Sequence, residues 1–267
     1  LINHHGTAPG MMFKNGSTLI FSLPGVPYEM KALIEDEVFP EILKNFEITD
    51  IYQESVMTTG RGESFLAEKI KDWEDRLRAD ELSLAYLPSP GIVRLRVTSY
   101  KGKKDELKVK QYLDELISLL GDDYYGREGE TLSSVVGKYL IQLGRTLSTV
   151  ESCTSGKLAS EIVQTPGASK YYEGSLLTYS YAMKTHLAGV AQEIYVTHGA
   201  VSQECVEAMA IGGREKLQSD YCLATSGIAG PDGGTPEKPV GTVWIALAHP
   251  KGVTSKLFHF PGNRERN

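Results

Sequence analysis

The feature that most constrains the fold is an alternation of short apolar strands with helices over residues 131–248. Residues 132–143 have apolar side chains at helical spacing, with Thr131 placed to cap the start of the helix and Gly144 just past its end. Further strands are predicted at 146–150, 176–180, 221–225 and 241–248, and further helices at 156–163, up to 187, and at 203–217. Strands that alternate with helices predict a layered α/β domain, which we place at 127–267.

Residues 1–48 have too few elements to form an independent core. A strand is predicted at Ser17–Leu23 and a helix at Tyr28–Leu43, in which Pro40 should introduce a kink or a break. The chain begins with leucine rather than methionine. We therefore interpret 1–48 as the C-terminal fragment of an α/β domain and expect the chain to be part of a longer protein.

Residues 49–126 are predicted to form a small α+β domain whose order of elements is loosely KH-like, without a GxxG loop. The predicted elements are strands at 52–59, 83–87 and 92–100 and helices at 64–77, capped by Ser64, and 105–120. The polar stretch 122–130 is expected to be a linker.

Composition excludes several classes of function. The net charge is -6, and the only basic run, Lys101–Lys110, is interrupted by acidic residues, so we expect a solvated helix face and no nucleic-acid partner. Three scattered cysteines indicate neither a disulfide framework nor a metal site, and they favour a cytoplasmic location. No apolar run is long enough to span a membrane.

Candidate chemistry is concentrated between Val150 and Lys184. The predicted strand 146–150 leads into Glu151-Ser152-Cys153-Thr154-Ser155-Gly156, where one hydroxyl should cap the next helix and leave at least one hydroxyl free. Ser169, Tyr179 and Lys184 follow, and a serine can be activated by a poised lysine or tyrosine without histidine. Simpler readings stay open: Ser169 as a cap, Tyr179 as a half-buried aromatic residue, Lys184 in solvent, and Cys153 as a buried strand-end residue.

A glycine-rich loop occupies 225–241, directly after a predicted strand. Such a loop can turn consecutive N–H groups towards an anion, although a long structural turn is the alternative, and the loop is neither a Walker A nor a Rossmann fingerprint. The candidate substrate-binding residues of the loop are Thr225, Gly227, Gly230, Gly233, Gly234, Thr235 and Lys238.

Four motifs resemble the C-terminal domain of the competence/damage-inducible protein CinA family: VESCTSG, GAS, LTYSYAMK and TSGIAGPDGGTPEKPVG. The stretch YLPSPGIVRLRVT resembles the middle domain of that family, and GTAPGM and LPGVPYEM resemble the end of its molybdopterin-binding-like N-terminal domain. The chain differs from the family pattern at Ser155, Ala168, Gly174 and Tyr181.

The resemblance implies hydrolysis of nicotinamide mononucleotide (NMN) to nicotinate mononucleotide and ammonia, with no metal or other cofactor. The catalytic positions of the family fall on Ser152, Ser169, Tyr179 and Lys184. Our hypothesis is that Ser169 attacks the carboxamide, assisted by Lys184 and Tyr179. Ser152, Thr154 and the N–H groups at Gly156 would hold the oxyanion or the amide, and the roles of the two serines could be exchanged.

The glycine-rich loop would hold the phosphate of NMN, and we expect a homo-oligomer. Two other classes of function remain as alternatives. One is a nucleotide-binding regulatory module without turnover, linked to competence or DNA damage. The other is a Tyr/Lys dehydrogenase, which would need a dinucleotide fingerprint that the sequence does not contain.

Overall fold

The structure is a computed structural model, and it describes residues 1–48 and 50–264. The chain divides into two compact units, 1–124 and 125–267. In the described part of the chain, every helix is too short or too polar to cross a lipid bilayer.

The first unit begins with a β-hairpin and a bent helical segment. Strands β1 (Met11–Asn15) and β2 (Thr18–Ser22) pair antiparallel around a turn at Gly16, whose φ of +59° suits glycine. Helices α1 (Pro27–Leu33) and α2 (Phe39–Asn45) are joined by a π-helical turn. The break predicted near Pro40 is present, but the π-helical turn precedes the proline, which lies in the first turn of α2, where its missing N–H costs nothing. Strand β1 was not predicted.

The rest of the first unit is an antiparallel sheet covered by helices. Its elements in chain order are β3 (Tyr52–Thr59), α3 (Glu63–Lys69), α4 (Lys71–Ala79), β4 (Ser83–Ser89), β5 (Ile92–Ser99), α5 (Glu106–Leu120) and β6 (Tyr124–Arg127), and the strand order is β4-β5-β3-β6. Strands and helices share one core, whose buried members include Trp73, Leu77, Leu95, Leu113 and Leu116. The unit is therefore the small α+β domain that the sequence predicts.

Three details of this unit differ from prediction. The single helix expected at 64–77 divides at Ile70 into α3 and α4. Ser64 is not a cap, because α3 begins one residue earlier after Gly62 and has no side-chain cap. The expected linker 122–130 contains strand β6. Each error concerns where an element ends, which local sequence specifies weakly.

The second unit is a layered α/β structure, as predicted. Its elements in chain order are α6 (Leu132–Leu143), β7 (Leu147–Glu151), α7 (Lys157–Val163), β8 (Tyr172–Leu177), α8 (Tyr181–Ala188), α9 (Gln192–Thr197), α10 (Gln203–Lys216), β9 (Tyr221–Gly227), β10 (Thr242–His249) and β11 (Gly252–His259). The sheet order is β11-β10-β9-β7-β8. Strand β7, which lies next to the edge strand β8, runs parallel to both neighbours, β8 and β9, and all five of its residues are buried.

Two apolar cores flank this sheet. Helix α10 packs with β7, β9 and β10 around Val150, Met209 and Ala246. A second core joins α6, α7 and β7 through Leu140, Leu147, Ile162, Ala168 and Tyr171. Gly137 of α6 is required here, because a Cβ at that position would lie 2.6 Å from the ring of Tyr171.

The predicted ends of α6 are confirmed, whereas the predicted bounds of β8 are wrong. Thr131 caps α6 in a capping box with Ser134, and Gly144 ends the helix in the left-handed conformation. Strand β8 starts four residues before the predicted 176, and Ser180, predicted within a strand, caps α8 through the N–H of Met183. Helix α9 and strand β11 were not predicted.

Candidate active site

The candidate site lies at the edge of the second unit's sheet where β7, β8 and β9 end. Parallel strands end at the same edge, which is where open α/β sheets bind ligands. A cavity of about 280 Å³ opens there. It is lined by Ser152, Cys153, Tyr179, Tyr181, Lys184, Ala200, Val201, Ser226, Gly227, Ala229 and Arg264.

Ser152 follows β7 directly and is 9% exposed. Its N–H donates to the carbonyl of Thr225 at 3.1 Å, and the Glu151 carbonyl accepts from the N–H of Thr178 at 2.8 Å. The hydrogen bonding of β7 with β9 and with the chain after β8 therefore continues up to Ser152. The backbone at Ser152 is therefore fixed from two sides.

Lys184 brings an amine to this hydroxyl from the first turn of α8. The side chain is 2% exposed, and Nζ lies 2.9 Å from Ser152 Oγ. The carbonyl oxygens of Thr178 and Tyr179 accept from Nζ at 2.7 and 3.1 Å. All three neighbours of the amine are neutral oxygen atoms.

Burial lowers the pKa of Lys184, because the ammonium form loses its hydration. The thiols of Cys205 and Cys153 act in the opposite direction, and no carboxylate of the described residues does so. Nζ is placed to donate to Ser152 Oγ and to the two carbonyls. On losing a proton, the amine can keep its two N–H bonds to the carbonyls and accept the Ser152 O–H with its lone pair. The site is therefore suited to a serine nucleophile with a lysine base.

The helix that follows Ser152 does not present its N–H groups to the cavity. Glu151 is 1% exposed, and its carboxylate accepts from the N–H groups of Gly156 at 2.9 Å, Leu158 at 3.1 Å and Ala159 at 2.8 Å. The prediction that these groups hold an oxyanion is corrected, because Glu151 already occupies them. Glu151 also takes the capping role that we expected of a serine or threonine hydroxyl.

Thr154, which we predicted to contact substrate, is not among the residues that line the cavity. Thr154 Oγ1 lies 2.8 Å from Thr225 Oγ1, so the two hydroxyls bond each other and link the turn to β9. Thr225 is 4% exposed and does not line the cavity. Both threonines therefore support the wall of the site.

Tyr179 lines the cavity with a side chain that is 69% exposed. Its main-chain carbonyl, and not its hydroxyl, is the group that bonds Lys184. Tyr181 adds a second aromatic side chain to the same wall. Cys153 also faces the cavity, and burial raises the pKa of its thiol, which disfavours a thiolate nucleophile.

Ser169 is not brought to this cavity. It lies in the 3₁₀ turn Ala168–Lys170 that precedes β8, and its side chain is exposed. The neighbouring residue Tyr171 bonds through its carbonyl to the N–H of Leu147, at the start of β7. Ser169 and Ser152 therefore lie beyond opposite ends of β7, which are separated by roughly 13 Å of strand.

The glycine-rich loop supports the cavity more than it lines it. Gly227 lines the cavity, whereas Gly233, Gly234 and Thr235 are exposed and lie outside its lining. Thr235 Oγ1 accepts from the N–H of Lys238 within the loop. Lys238 Nζ donates to the carbonyls of His198 at 3.1 Å and Val201 at 2.8 Å, so its charge is directed to the backbone of the 198–201 loop.

Arg264 is a cavity residue that sequence analysis did not identify. Its Nη1 donates to the carbonyl of Gly230 at 2.9 Å, and the residue lines the same cavity as Lys184. The glycine-rich loop therefore also contributes indirectly, by holding an arginine. The available signal was an arginine shortly after the Pro261-Gly262 pair that follows the last strand. Glu151 had a clearer signal, since a charged residue at the end of a buried strand needs polar partners.

A second, larger cavity of about 640 Å³ lies between α8 and α9 and shares Tyr181 with the first. Its lining is mainly apolar and contains no nucleophile paired with a base. Within residues 1–48 and 50–264, no cluster of His, Cys, Asp or Glu is arranged to hold a metal ion. The pair of Ser152 and Lys184 is therefore the feature that makes the smaller cavity the candidate active site.

Comparisons with known proteins agree with this division of the chain. Residues 129–267, more than half of the chain, match the CinA C-terminal domain, and residues 53–126 match the damage-inducible protein CinA KH domain. A CinA-like protein of Flavobacterium psychrophilum is 43% identical over 100% of this chain and 64% of its own length. A CinA-like protein of Cytophaga hutchinsonii is 41% identical over 100% of this chain and 64% of its own length.

The chain thus spans just under two thirds of the length of these relatives. Since the C-terminal match covers the unit that contains Ser152, Lys184 and Arg264, the candidate site lies within the part of the chain that defines the match. The chain belongs to the CinA family, with a CinA C-terminal domain preceded by a CinA KH domain.

Proposed function

We propose that the second unit hydrolyses the carboxamide of NMN, giving nicotinate mononucleotide and ammonia. The observation that carries the proposal is the buried amine of Lys184, 2.9 Å from Ser152 Oγ, with its other contacts directed to carbonyl oxygens. Such a pair needs no histidine and no metal to generate a serine nucleophile.

In the first step, Ser152 Oγ attacks the carboxamide carbon while Lys184 Nζ accepts the Oγ proton. The tetrahedral intermediate places negative charge on the former carbonyl oxygen. The N–H groups of Cys153 and Thr154, which lie against the Cys153 thiol in the cavity wall, support a role as oxyanion donors. The N–H of the residue after the nucleophile has this role in other serine hydrolases.

Collapse of the intermediate breaks the carbon–nitrogen bond. Lys184 returns the proton to the departing nitrogen, so ammonia leaves and an ester on Ser152 remains. In the second half, Lys184 takes a proton from water, which attacks the ester carbonyl. The proton then returns to Ser152 Oγ, and the carboxylic acid is released.

The charges of the cavity match a nucleotide that carries a cationic ring. Arg264 offers a guanidinium group, which suits the phosphate of NMN. Tyr179 and Tyr181 offer aromatic faces, which attract a pyridinium ring. A neutral Lys184 avoids repulsion of that ring. In this arrangement Ser152 takes the nucleophilic role that sequence analysis placed first on Ser169, and Arg264 takes the phosphate contact that it placed on the glycine-rich loop.

The test is incubation of the 267-residue chain with NMN, with ammonia and nicotinate mononucleotide measured together. Equal amounts of the two products are expected from the unmodified chain. Lys184→Met, which keeps the volume of the side chain but not its base, should reduce the rate by roughly 10²- to 10⁴-fold.

Saturable NMN binding without release of ammonia would replace this proposal with a regulatory nucleotide-binding role. Nicotinamide as the product would indicate cleavage of the glycosidic bond instead. A control variant with an intact site is Lys251→Met, since Lys251 is an exposed residue of the turn between β10 and β11 and lies outside the cavity lining.

A further inference from the structure

Glu151 is a fully buried charged residue to which the proposed reaction gives no role. Its carboxylate accepts three backbone N–H groups, those of Gly156, Leu158 and Ala159. Ser175 Oγ adds a longer contact at 3.5 Å. This side chain therefore spans the whole turn that carries Ser152, from the strand before it to the helix after it.

The turn itself has an unfavourable backbone. Ser155 has a φ of +51° and Gly156 a φ of +91°, so two consecutive residues are left-handed. Glycine adopts this conformation readily, but a residue with a side chain does not. Strained residues persist where the surroundings hold them, and they concentrate at functional sites. In this turn, the three bonds to Glu151 close the chain across Ser152–Ser155.

The position of Ser152 Oγ depends on that closure. Proton transfer to Lys184 requires hydrogen-bond distance, which the 2.9 Å separation satisfies. A displacement of about 1 Å at a catalytic group can reduce a rate by about 10²-fold. Two other hydrogen bonds hold the turn. The Ser152 N–H donates to the Thr225 carbonyl, and the hydroxyls of Thr154 and Thr225 bond each other.

We propose that Glu151 is a positioning residue, which holds the Ser152 turn in register with Lys184 by binding the first amides of α7. The inference rests on the proposed function, in that Ser152 is taken to be the nucleophile. It also explains why a carboxylate so close to the site leaves Lys184 unpaired. The carboxylate oxygens are occupied by backbone amides, so neither is directed to the amine.

The experiment compares Glu151→Gln with Asp220→Asn in the full chain. Both replace a carboxylate that accepts backbone N–H groups by its carboxamide. Asp220 accepts from the N–H of Thr146 at 2.9 Å, beyond the amino end of β7, while Glu151 lies at the carboxyl end. Asp220→Asn is thus a control for the loss of a carboxylate that accepts a backbone N–H at the end of β7 away from Ser152.

Two readouts are used. The first is the rate at which phenylmethylsulfonyl fluoride labels Ser152, followed by intact mass. Oγ bonds to sulfur, fluoride leaves, and Lys184 takes the proton. The second is kcat and KM for NMN. We expect Glu151→Gln to lower the labelling rate and kcat by roughly 10- to 100-fold, with KM changed less than about threefold. Asp220→Asn should leave both within about twofold.

The pH midpoint of labelling separates a displaced Ser152 from an altered Lys184. Glu151→Gln should slow labelling at every pH without moving the midpoint, because the carbonyl contacts of Lys184 Nζ come from Thr178 and Tyr179. A moved midpoint would assign Glu151 to tuning of the amine and would overturn the positioning role. If Glu151→Gln does not fold, the double variant with Ser155→Gly relieves the left-handed strain in the same turn. It is then compared with Ser155→Gly alone, and slower labelling of the double variant is expected.

The outcomes separate the two proposals. Labelling of Glu151→Gln at the unmodified rate, or equal slowing by Asp220→Asn, overturns the positioning role and leaves the proposed function intact. An unmodified chain that is neither labelled at Ser152 nor able to hydrolyse NMN overturns the proposed function.

Discussion

The two ends of strand β7 contain the same types of residue in different arrangements. At the amino end, Asp220 accepts from the N–H of Thr146 at 2.9 Å and pairs with Arg145 at 2.7 Å. At the carboxyl end, Glu151 accepts three backbone N–H groups, and Lys184 contacts only neutral oxygens. Each end thus has a carboxylate, a basic side chain and nearby serines.

The difference between the ends lies in the partner of the cation. Arg145 is 49% exposed and is paired with a carboxylate, so the amino end is held together by an ion pair. Lys184 is buried, and among residues 1–48 and 50–264 no carboxylate bonds its amine, while both oxygens of Glu151 accept from backbone N–H groups. The serines follow the same division: Ser148 and Ser219 bond each other at 2.6 Å, whereas Ser152 bonds the amine. The carboxyl end therefore has the arrangement that the proposed lysine base requires.

The largest effect is expected from removal of Ser152, with Ser169 as the comparison. Ser152→Ala should reduce NMN hydrolysis by at least about 10³-fold, because Ser152 Oγ is the side-chain hydroxyl that bonds Lys184 Nζ. Ser169→Ala, beyond the amino end, should change the rate by less than about twofold. Ammonia release by both variants measures the contrast. Equal losses would remove the distinction between the two ends of β7.

A smaller effect is expected from pH, through the lowered pKa of Lys184. The neutral amine is the active form, so kcat should rise about tenfold per pH unit below that pKa and level off above it. Since burial lowers the pKa of Lys184 from its ordinary value of 10.5, the plateau should begin below that pH. A kcat that is constant or falls as pH rises would contradict a neutral lysine base.

Loss of the Arg264 side chain, at the carboxyl end of β7, should weaken substrate binding without slowing the chemical step. Arg264→Gln removes the charge that we assign to the phosphate, so KM for NMN should rise roughly 30-fold with little change in kcat. Nicotinamide riboside, which lacks the phosphate, serves as the matched substrate. Its kcat/KM should be the same in both proteins, and a parallel loss with both substrates would assign Arg264 to the structure of the wall.

The smallest effect is expected on the free energy of unfolding, when a strained backbone conformation is relieved near either end of β7. Ser155 and Gln218 both have a φ of +51°, the first beside Ser152 and the second just before β9 begins. Changing either to glycine should raise the free energy of unfolding by about 0.5–1 kcal/mol, since glycine adopts this conformation without a Cβ clash. Urea unfolding measures the gain, and a loss at Ser155 alone would show that its side chain stabilises the turn.

Much of the fold could be predicted because its signals are local. The capping box of Thr131 and the left-handed Gly144 follow from residue type, and the buried strand β7 follows from an apolar run. The errors lie where packing overrides local preference. Strand β8 begins at Tyr172 because it pairs with Leu147 across the sheet, and no neighbouring residue encodes that register.

The candidate site could be predicted only in part for a related reason. The motifs singled out the correct strand end, including Ser152 and Lys184, which are 32 residues apart in sequence and meet in the cavity. They also included Ser169, because a motif specifies the spacing of residues along the sequence and not their distance in space. Whether a residue before a parallel strand reaches the site depends on the direction of that strand, which the motif does not specify.

The sequence by itself determined the layered α/β architecture, much of the order of its elements and a small set of candidate site residues, Ser152 and Lys184 among them. Only the tertiary structure decided which serine faces the lysine, that Glu151 binds helix amides, and that Arg264 enters the cavity. The physical reason is that periodicity and capping act over a few neighbouring residues. Burial, hydrogen-bond partners and the pKa of Lys184 depend instead on groups from distant parts of the chain that packing brings together.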